Sequence, residues 1–262
     1  MGNNQAVIGG RGVIDSELFS VTSVCLGVLS ERGYYVTDTV IDDDLEREMR
    51  DAGRHAPTPM MSHHMNDFTE ANSRWVVLRF NGQLVGTLGF RFDDLGQKTL
   101  ASYLESLFRR HFNGSKTETK IRPDAPRRIH QVTGPNIHAG DFWFHVDHRG
   151  DPAKTMCFCN YAHSLVFAQW QNAEFMYAFH WRRHALAGKV DQYGFVSGSI
   201  PGAQIWTNPP PGREDTEQLS LLSRDDWRSQ LSYYVRHPQE LTNPPILRRL
   251  QDAPKRTLRS SK

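Results

Sequence analysis

Two runs rich in β-branched and aromatic residues, 75–80 and 83–92, are separated by the pair Asn81-Gly82. An Asn-Gly pair suits a type I′ turn, in which both central residues take positive φ and the twist of the turn matches that of the strands it joins. A β-hairpin over 75–92 is therefore the firmest local expectation, and it commits the chain to a sheet. Residues 100–112 then place Leu100, Leu104, Leu107, Phe108 and His111 near one helical face, with Asn113-Gly114 as a stop. Residues 141–147 read as a strand and 153–170 as a helix, and the pattern repeats with a strand at 174–180 and a helix at 182–192, stopped by Gly194. Two short strands at 203–207 and 218–222 follow. Ser223 and Asp226 form a capping pair for a last helix that runs to about Arg236 and ends before Pro238. Strands interleaved with helices predict an α/β fold with a mixed central sheet flanked by helices. Upstream, residues 45–52 follow three aspartates and read as a short helix, while 53–73 read as a loop.

A chain of 262 residues and 30.0 kDa fits one large domain. We expect a flexible N-terminus at 1–12, a single domain over 13–247 with an insertion at about 93–140, and a basic tail at 248–262. That tail holds six basic residues and Asp252, so it carries +5 against −3 for the rest; by default such an end is solvated. With 31 Lys plus Arg against 29 Asp plus Glu, no overall field draws the chain to nucleic acid. A 38% hydrophobic content with 14 Phe excludes a disordered chain. Cys25, Cys157 and Cys159 cannot make an even disulfide framework and read as buried thiols. The most apolar early stretch, 18–29, is too short to span a bilayer and has acidic residues before it, so a cytoplasmic location is expected.

The junction between the 141–147 strand and the 153–170 helix carries the most chemical information. A helix N-terminus after a strand offers unpaired N–H groups and a positive dipole end to a phosphate. Pro152 suits the first turn, and Arg149 and Lys154 add formal charge nearby.

The strand, the His148-Arg149-Gly150 turn, the helix, the second strand-helix pair and the later Tyr193-Gly194-Phe195 together resemble the GCN5-related N-acetyltransferase superfamily. The similarity covers about residues 75–235, interrupted by 93–140, and implies an acyl-CoA N-acyltransferase-like fold. It implies transfer of an acyl group from a thioester donor, acyl-CoA or the acyl-phosphopantetheine of an acyl carrier protein, to a small-molecule or peptide amine by direct attack, with no metal. The donor's pyrophosphate would lie against Arg149, Gly150, Asp151, Ala153, Lys154 and Thr155. Pro152 and Lys154 stand where the family's loop has glycines, and Arg183 and Val190 stand where it often has Asn and Tyr. Arg149, Lys154, Arg182 and Arg183 would then replace backbone donors, which suits an acidic carrier protein.

Amide formation needs a group to take the proton of the attacking amine. His145 and Asp147, two apart on the expected strand, would share one face, and His180 ends the next strand; these three are the candidate bases. Two alternatives remain: a non-catalytic binding protein of the same fold, and an Fe(II)/2-oxoglutarate dioxygenase built on His145, Asp147 and His237. Against the latter, helices follow where a jelly roll needs strands. His63-His64 with Asp67 reads as a solvated surface or an acceptor site. Trp75, Trp143, Trp170, Trp181 and Trp206 read as core. The sequence lacks a G-x-S-x-G elbow, a Walker loop and a paired C-x-x-C.

Overall fold

The computed structural model describes residues 8–112, 118–195, 205–210 and 213–244. The elements are α1 (Ile8–Glu31), β1 (Tyr34–Thr39), α2 (Asp43–Asp51), β2 (Ser73–Phe80), β3 (Gln83–Asp94), α3 (Leu100–His111), β4 (Pro135–Phe144), α4 (Pro152–Gln169), β5 (Phe175–His180), α5 (Arg182–Leu186), α6 (Lys189–Gln192), β6 (Gln218–Ser223), α7 (Arg224–Arg236) and α8 (Gln239–Thr242). The six strands form one sheet in the order β1-β2-β3-β4-β5-β6. All neighbours are antiparallel except β4 and β5, which run parallel with α4 as their crossover. The expected mixed sheet flanked by helices is the observed one.

The hairpin forms as its turn demands, with Asn81 at φ +49 and Gly82 at φ +82. Along β2, Val76 and Leu78 enter the cluster that includes residues of α1, α4 and α7, while Trp75 and Val77 enter the cluster that includes residues of α2 and α3. Both faces are buried, which is why β2 and β3 read as near-continuous apolar runs. Gly89 is required by close approach, because a Cβ there would stand 2.8 Å from both Trp75 and Met61. Ser223 caps α7, its hydroxyl 3.0 Å from the Asp226 N–H, and Asp42 caps α2.

Several expectations move. Helix α1 opens at Ile8, within the segment expected to be flexible. The 182–192 helix is broken, because Gly188 takes φ +66 and ends α5 before α6 begins. The 141–147 strand is displaced: β4 starts at Pro135 and ends at Phe144, and Val146–His148 form a 3-10 turn. Trp75, Trp170 and Trp206 are core, but Trp181 is 39% exposed. The expected insertion holds α3 and a 3-10 turn at Arg127–His130, which pack through Leu104, Phe108 and Ile129. Residues 1–7, the Asn113-Gly114 stop, residues 203–204 and the basic tail lie outside the described residues. The three thiols are free and buried, and no helix among the described residues is long and apolar enough to cross a membrane.

Candidate active site

The parallel pairing of β4 with β5 is short. Only Asn136, Ile137 and His138 face Phe175, Met176 and Tyr177; beyond them the strands part, and the β5-facing edge of β4 has no strand partner. A bulge accompanies the parting. Thr87 faces Trp143 and Gly89 faces Gly140, so β4 places two residues, Asp141 and Phe142, opposite Leu88 alone. Asp141 sits at φ +56, a left-handed conformation that Asp tolerates better than most side chains. Its carboxylate accepts from Arg54 Nη2 at 2.8 Å, Thr58 Oγ1 at 2.9 Å and the Thr58 N–H at 3.1 Å. That fully satisfied group anchors residues 54–58 to the bulge.

A cavity of about 490 Å³ opens where the strands part. Its walls combine Ala139–Phe142 of β4, Ala178–His180 of β5, Cys159 and His163 of α4, Phe108 of α3, Pro57–Met60, and Tyr193 and Phe195. The volume and mixed aromatic and polar lining are those of a small-molecule site. Its histidines are held neutral. Burial, with His184 beside it, pushes the pKa of His180 down to about 4. Burial and nearby His180 push that of His163 down to about 3, and burial with Arg213 and Arg91 lowers that of His138 well below the usual value. His180 Nε2, His138 Nδ1 and His163 Nδ1 are buried with no hydrogen-bond partner. Arg213 and Glu217, also in the lining, pair at 2.9 Å and cancel each other's charge. Cys159 is a poor nucleophile, because burial raises its pKa and keeps the thiol protonated.

The three candidate bases do not converge. His180 lines this cavity, while His145 and Asp147 line a separate open depression with Glu48, Asp51 and the hairpin turn. With β4 ending at Phe144, His145 and Asp147 do not share a strand face; their side chains come within 3.6 Å across the 3-10 turn. His237 does not join them: among the described residues, the group of three metal-capable side chains with ligand atoms within 4.8 Å of one another is Asp43, His63 and His64. The dioxygenase arrangement is therefore absent from the geometry.

The start of α4 is largely occupied by the chain itself. Asp151 is the N-cap; its Oδ1 accepts from the Lys154 N–H at 3.1 Å and its carbonyl from the Thr155 N–H at 3.1 Å and Thr155 Oγ1 at 3.0 Å. Pro152 has no N–H, so Ala153 retains the turn's open donor. The other carboxylate oxygen of Asp151 pairs with Arg32 at 2.9 Å. Lys154 does not add charge at the open start of α4 as its sequence position suggested. It is 1% exposed, its ammonium donates to the His148 carbonyl and lies over the rings of Phe144 and Tyr34, and burial lowers its pKa to about 8. Gly150 takes φ +89 with open space around it. Arg149 is exposed with Nε on the Phe144 carbonyl at 2.9 Å, and the Arg183 guanidinium lies 4.0 Å from the ring centroid of Trp181, which lines the cavity.

Sequence reading did not single out His138, His163, Arg213 or Glu217. His138 lies two positions before Gly140 in a stretch assigned to the insertion, and Arg213 and Glu217 flank a turn; nothing local marks them. The depression and the cavity could be separated only once the end of β4 was known.

No protein-family profile and no curated protein sequence matches the chain. Among solved structures it is similar to FeeM, an N-acyl amino acid synthase from uncultured soil microbes, at 12% identity and TM-score 0.44, covering 75% of this chain and 94% of that one. It is also similar to Arabidopsis thaliana NAA60 in complex with acetyl-CoA, at 11% identity and TM-score 0.43 over 73% of this chain and 99% of that one. A third is the aminoglycoside acetyltransferase AAC(6')-Ib in complex with coenzyme A and kanamycin, at 9% identity and TM-score 0.41 over 74% and 98%. Nothing about donor or acceptor passes from these proteins to this chain. Its own six-stranded sheet is mixed and flanked by helices, with β4 and β5 parallel and then parted, the α/β arrangement that the order of elements led us to expect.

Proposed function

We propose that the protein is an N-acyltransferase that takes an acyl thioester into the opening between β4 and β5 and passes the acyl group directly to an amine. The observation that carries this reading is the parting of the two strands over the 490 Å³ cavity. An unpartnered strand edge can hydrogen-bond an extended, amide-bearing arm as it would another strand, and phosphopantetheine is such an arm. The aromatic part of the cavity then receives the acyl group or the acceptor.

In this reading the amine attacks the thioester carbon as the free base. Forming the C–N bond makes the nitrogen positively charged and strongly acidic, so even a weak base can take its proton. His180, kept neutral by burial, is the base on the cavity wall. The C–S bond breaks as the tetrahedral intermediate collapses, and the thiolate leaves to be protonated as the free thiol. His145 and Asp147 have no part in this step. His180→Gln is expected to lower kcat/KM by about a hundredfold or more, the usual worth of a positioned base, with donor binding and thermal melting little changed; wild-type turnover in that variant would remove His180 from the mechanism.

The start of α4 supports a reading of the donor class. With Asp151 on its own helix N-terminus and Lys154 turned inward, little is left for a pyrophosphate beyond the Ala153 N–H, Gly150 and Arg149. Exposed Arg149, Arg182 and Arg183 suit an acidic acyl carrier protein. Asp151→Asn keeps a good N-cap and removes a negative charge. It is expected to tighten acyl-CoA binding by roughly 2- to 5-fold, in line with the worth of one charge at a helix terminus; unchanged or weaker binding by calorimetry would mean that the phosphates do not approach α4.

Native mass spectrometry with a short acyl-CoA, a long acyl-CoA and an acylated carrier protein tests the whole reading. A mass increment of one thioester and acyl transfer to an added amine are expected. Folded protein that takes up none of the three donors would leave a binding protein of the same fold as the conclusion.

A further inference from the structure

We propose that Asp43, His63 and His64 bind a divalent cation of the zinc class, with Glu46 holding His63 in the ligating tautomer. The site lies outside the cavity and does not depend on the acyl-transfer reading. His63 Nε2 stands 3.0 Å from Asp43 Oδ1, His64 Nε2 stands 3.6 Å from the same oxygen, and the three ligand atoms all lie within 4.8 Å of one another. Ligands of one zinc ion at its usual bond lengths lie about 3.4 Å apart, so the three atoms are near the spacing that a shared ion imposes.

The second observation is on the far side of the His63 ring. Nδ1 is 2.9 Å from Oε1 of Glu46, whose side chain is only 6% exposed. A carboxylate on one ring nitrogen fixes that nitrogen as the N–H, leaves the lone pair on the other, and makes it a stronger ligand. Among the described residues the ion-pair partners of this buried carboxylate are the two imidazoles. Two imidazoles and a carboxylate suit zinc or a neighbouring transition ion rather than magnesium or calcium. Asp43 belongs to the first turn of α2, whereas the two histidines lie just beyond Met60, a cavity residue. A bound ion would therefore tie α2 to the segment that walls the cavity.

The test uses full-length protein without a polyhistidine tag, stripped with a chelator and dialysed, then titrated with zinc chloride against a chromophoric competitor. One zinc per chain and a raised melting temperature are expected. Asp43 and His64 are largely exposed, so the double variant Asp43→Asn/His64→Ala should fold, as circular dichroism would verify, and lose the zinc and the rise in melting temperature. Glu46→Gln should weaken binding by about 10- to 100-fold, the usual effect of altering such an orienting partner. Absence of zinc uptake by the folded wild type overturns the proposal. So does undiminished uptake by the double variant, which would place the ion on other histidines among the 12.

Discussion

Lowering the pH from 7 to 5 is expected to remove about 6 kcal/mol of folding stability through three buried histidines, His111, His163 and His180. Burial, with Arg91 and Arg110 nearby, lowers the pKa of His111 to about 4; those of His163 and His180 fall to about 3 and 4. In the unfolded chain each titrates near 6.5. Between 6.5 and about 4 the unfolded state thus binds more protons than the folded state, so stability is complete above 6.5 and falls as pH drops through that window. At pH 5 each histidine costs about 2 kcal/mol, at 1.36 kcal/mol per pH unit. A whole domain is stable by only about 5–15 kcal/mol, so a large share of the stability is gone by pH 5, earlier than carboxylate protonation alone would remove it. Urea unfolding at pH 7.5, 6 and 5 measures this directly. A free energy constant within 1 kcal/mol across the series would mean that the three rings are solvated in the folded protein, which would also withdraw the argument that the cavity wall is uncharged.

Replacing Asp141 by Ala is expected to cost about 3–5 kcal/mol, because it leaves the Arg54 guanidinium buried without its counter-charge. The side chains of Arg54 and Asp141 are 5% and 7% exposed, and Arg54 also lies 5.3 Å from the centroid of the Trp75 ring. Ala at φ +56 adds backbone strain that Asn would largely avoid, so Asp141→Asn should cost less than Asp141→Ala. The double variant Arg54→Met/Asp141→Ala should regain much of the loss, since no buried charge then remains. Chemical denaturation of the wild type, Arg54→Met, Asp141→Ala and the double variant closes the cycle. A loss under 1 kcal/mol for Asp141→Ala would show the pair to be hydrated. The same substitution releases the Thr58 N–H and hydroxyl, and with them the segment that brings Met60 to the cavity; donor affinity should fall in parallel with stability.

The hairpin was legible because its turn chemistry is local: Asn81-Gly82 needs no partner elsewhere in the chain to take positive φ. The same holds for the Ser223 cap and the apolar face of α3, both set by spacing within a few residues. The candidate site was legible only at His180, which a strand-end position marked. His145 and Asp147 were placed on a strand because Phe142 to Val146 is aromatic and β-branched, yet aromatic character cannot tell a strand interior from the turn that ends it. Lys154 reads as formal charge for a phosphate at the start of the helix because it lies in the first turn. Its burial beneath Phe144 and Tyr34 depends on β1 and β4 flanking that spot, which no spacing near Lys154 encodes.

By itself the sequence determined the class of the fold, since propensity, capping and turn chemistry act over a few residues and agree along most of the described chain. Tertiary structure alone decided where the chemistry sits. β4 parts from β5 after three paired residues, with a one-residue bulge at Asp141 beyond them, and the cavity between the parted strands is walled by residues distant in sequence, its neutral histidines and the paired Arg213 and Glu217 among them. Burial sets the charge state of each of those groups, and burial is a property of what packs around a residue, not of the residue or its neighbours in the chain.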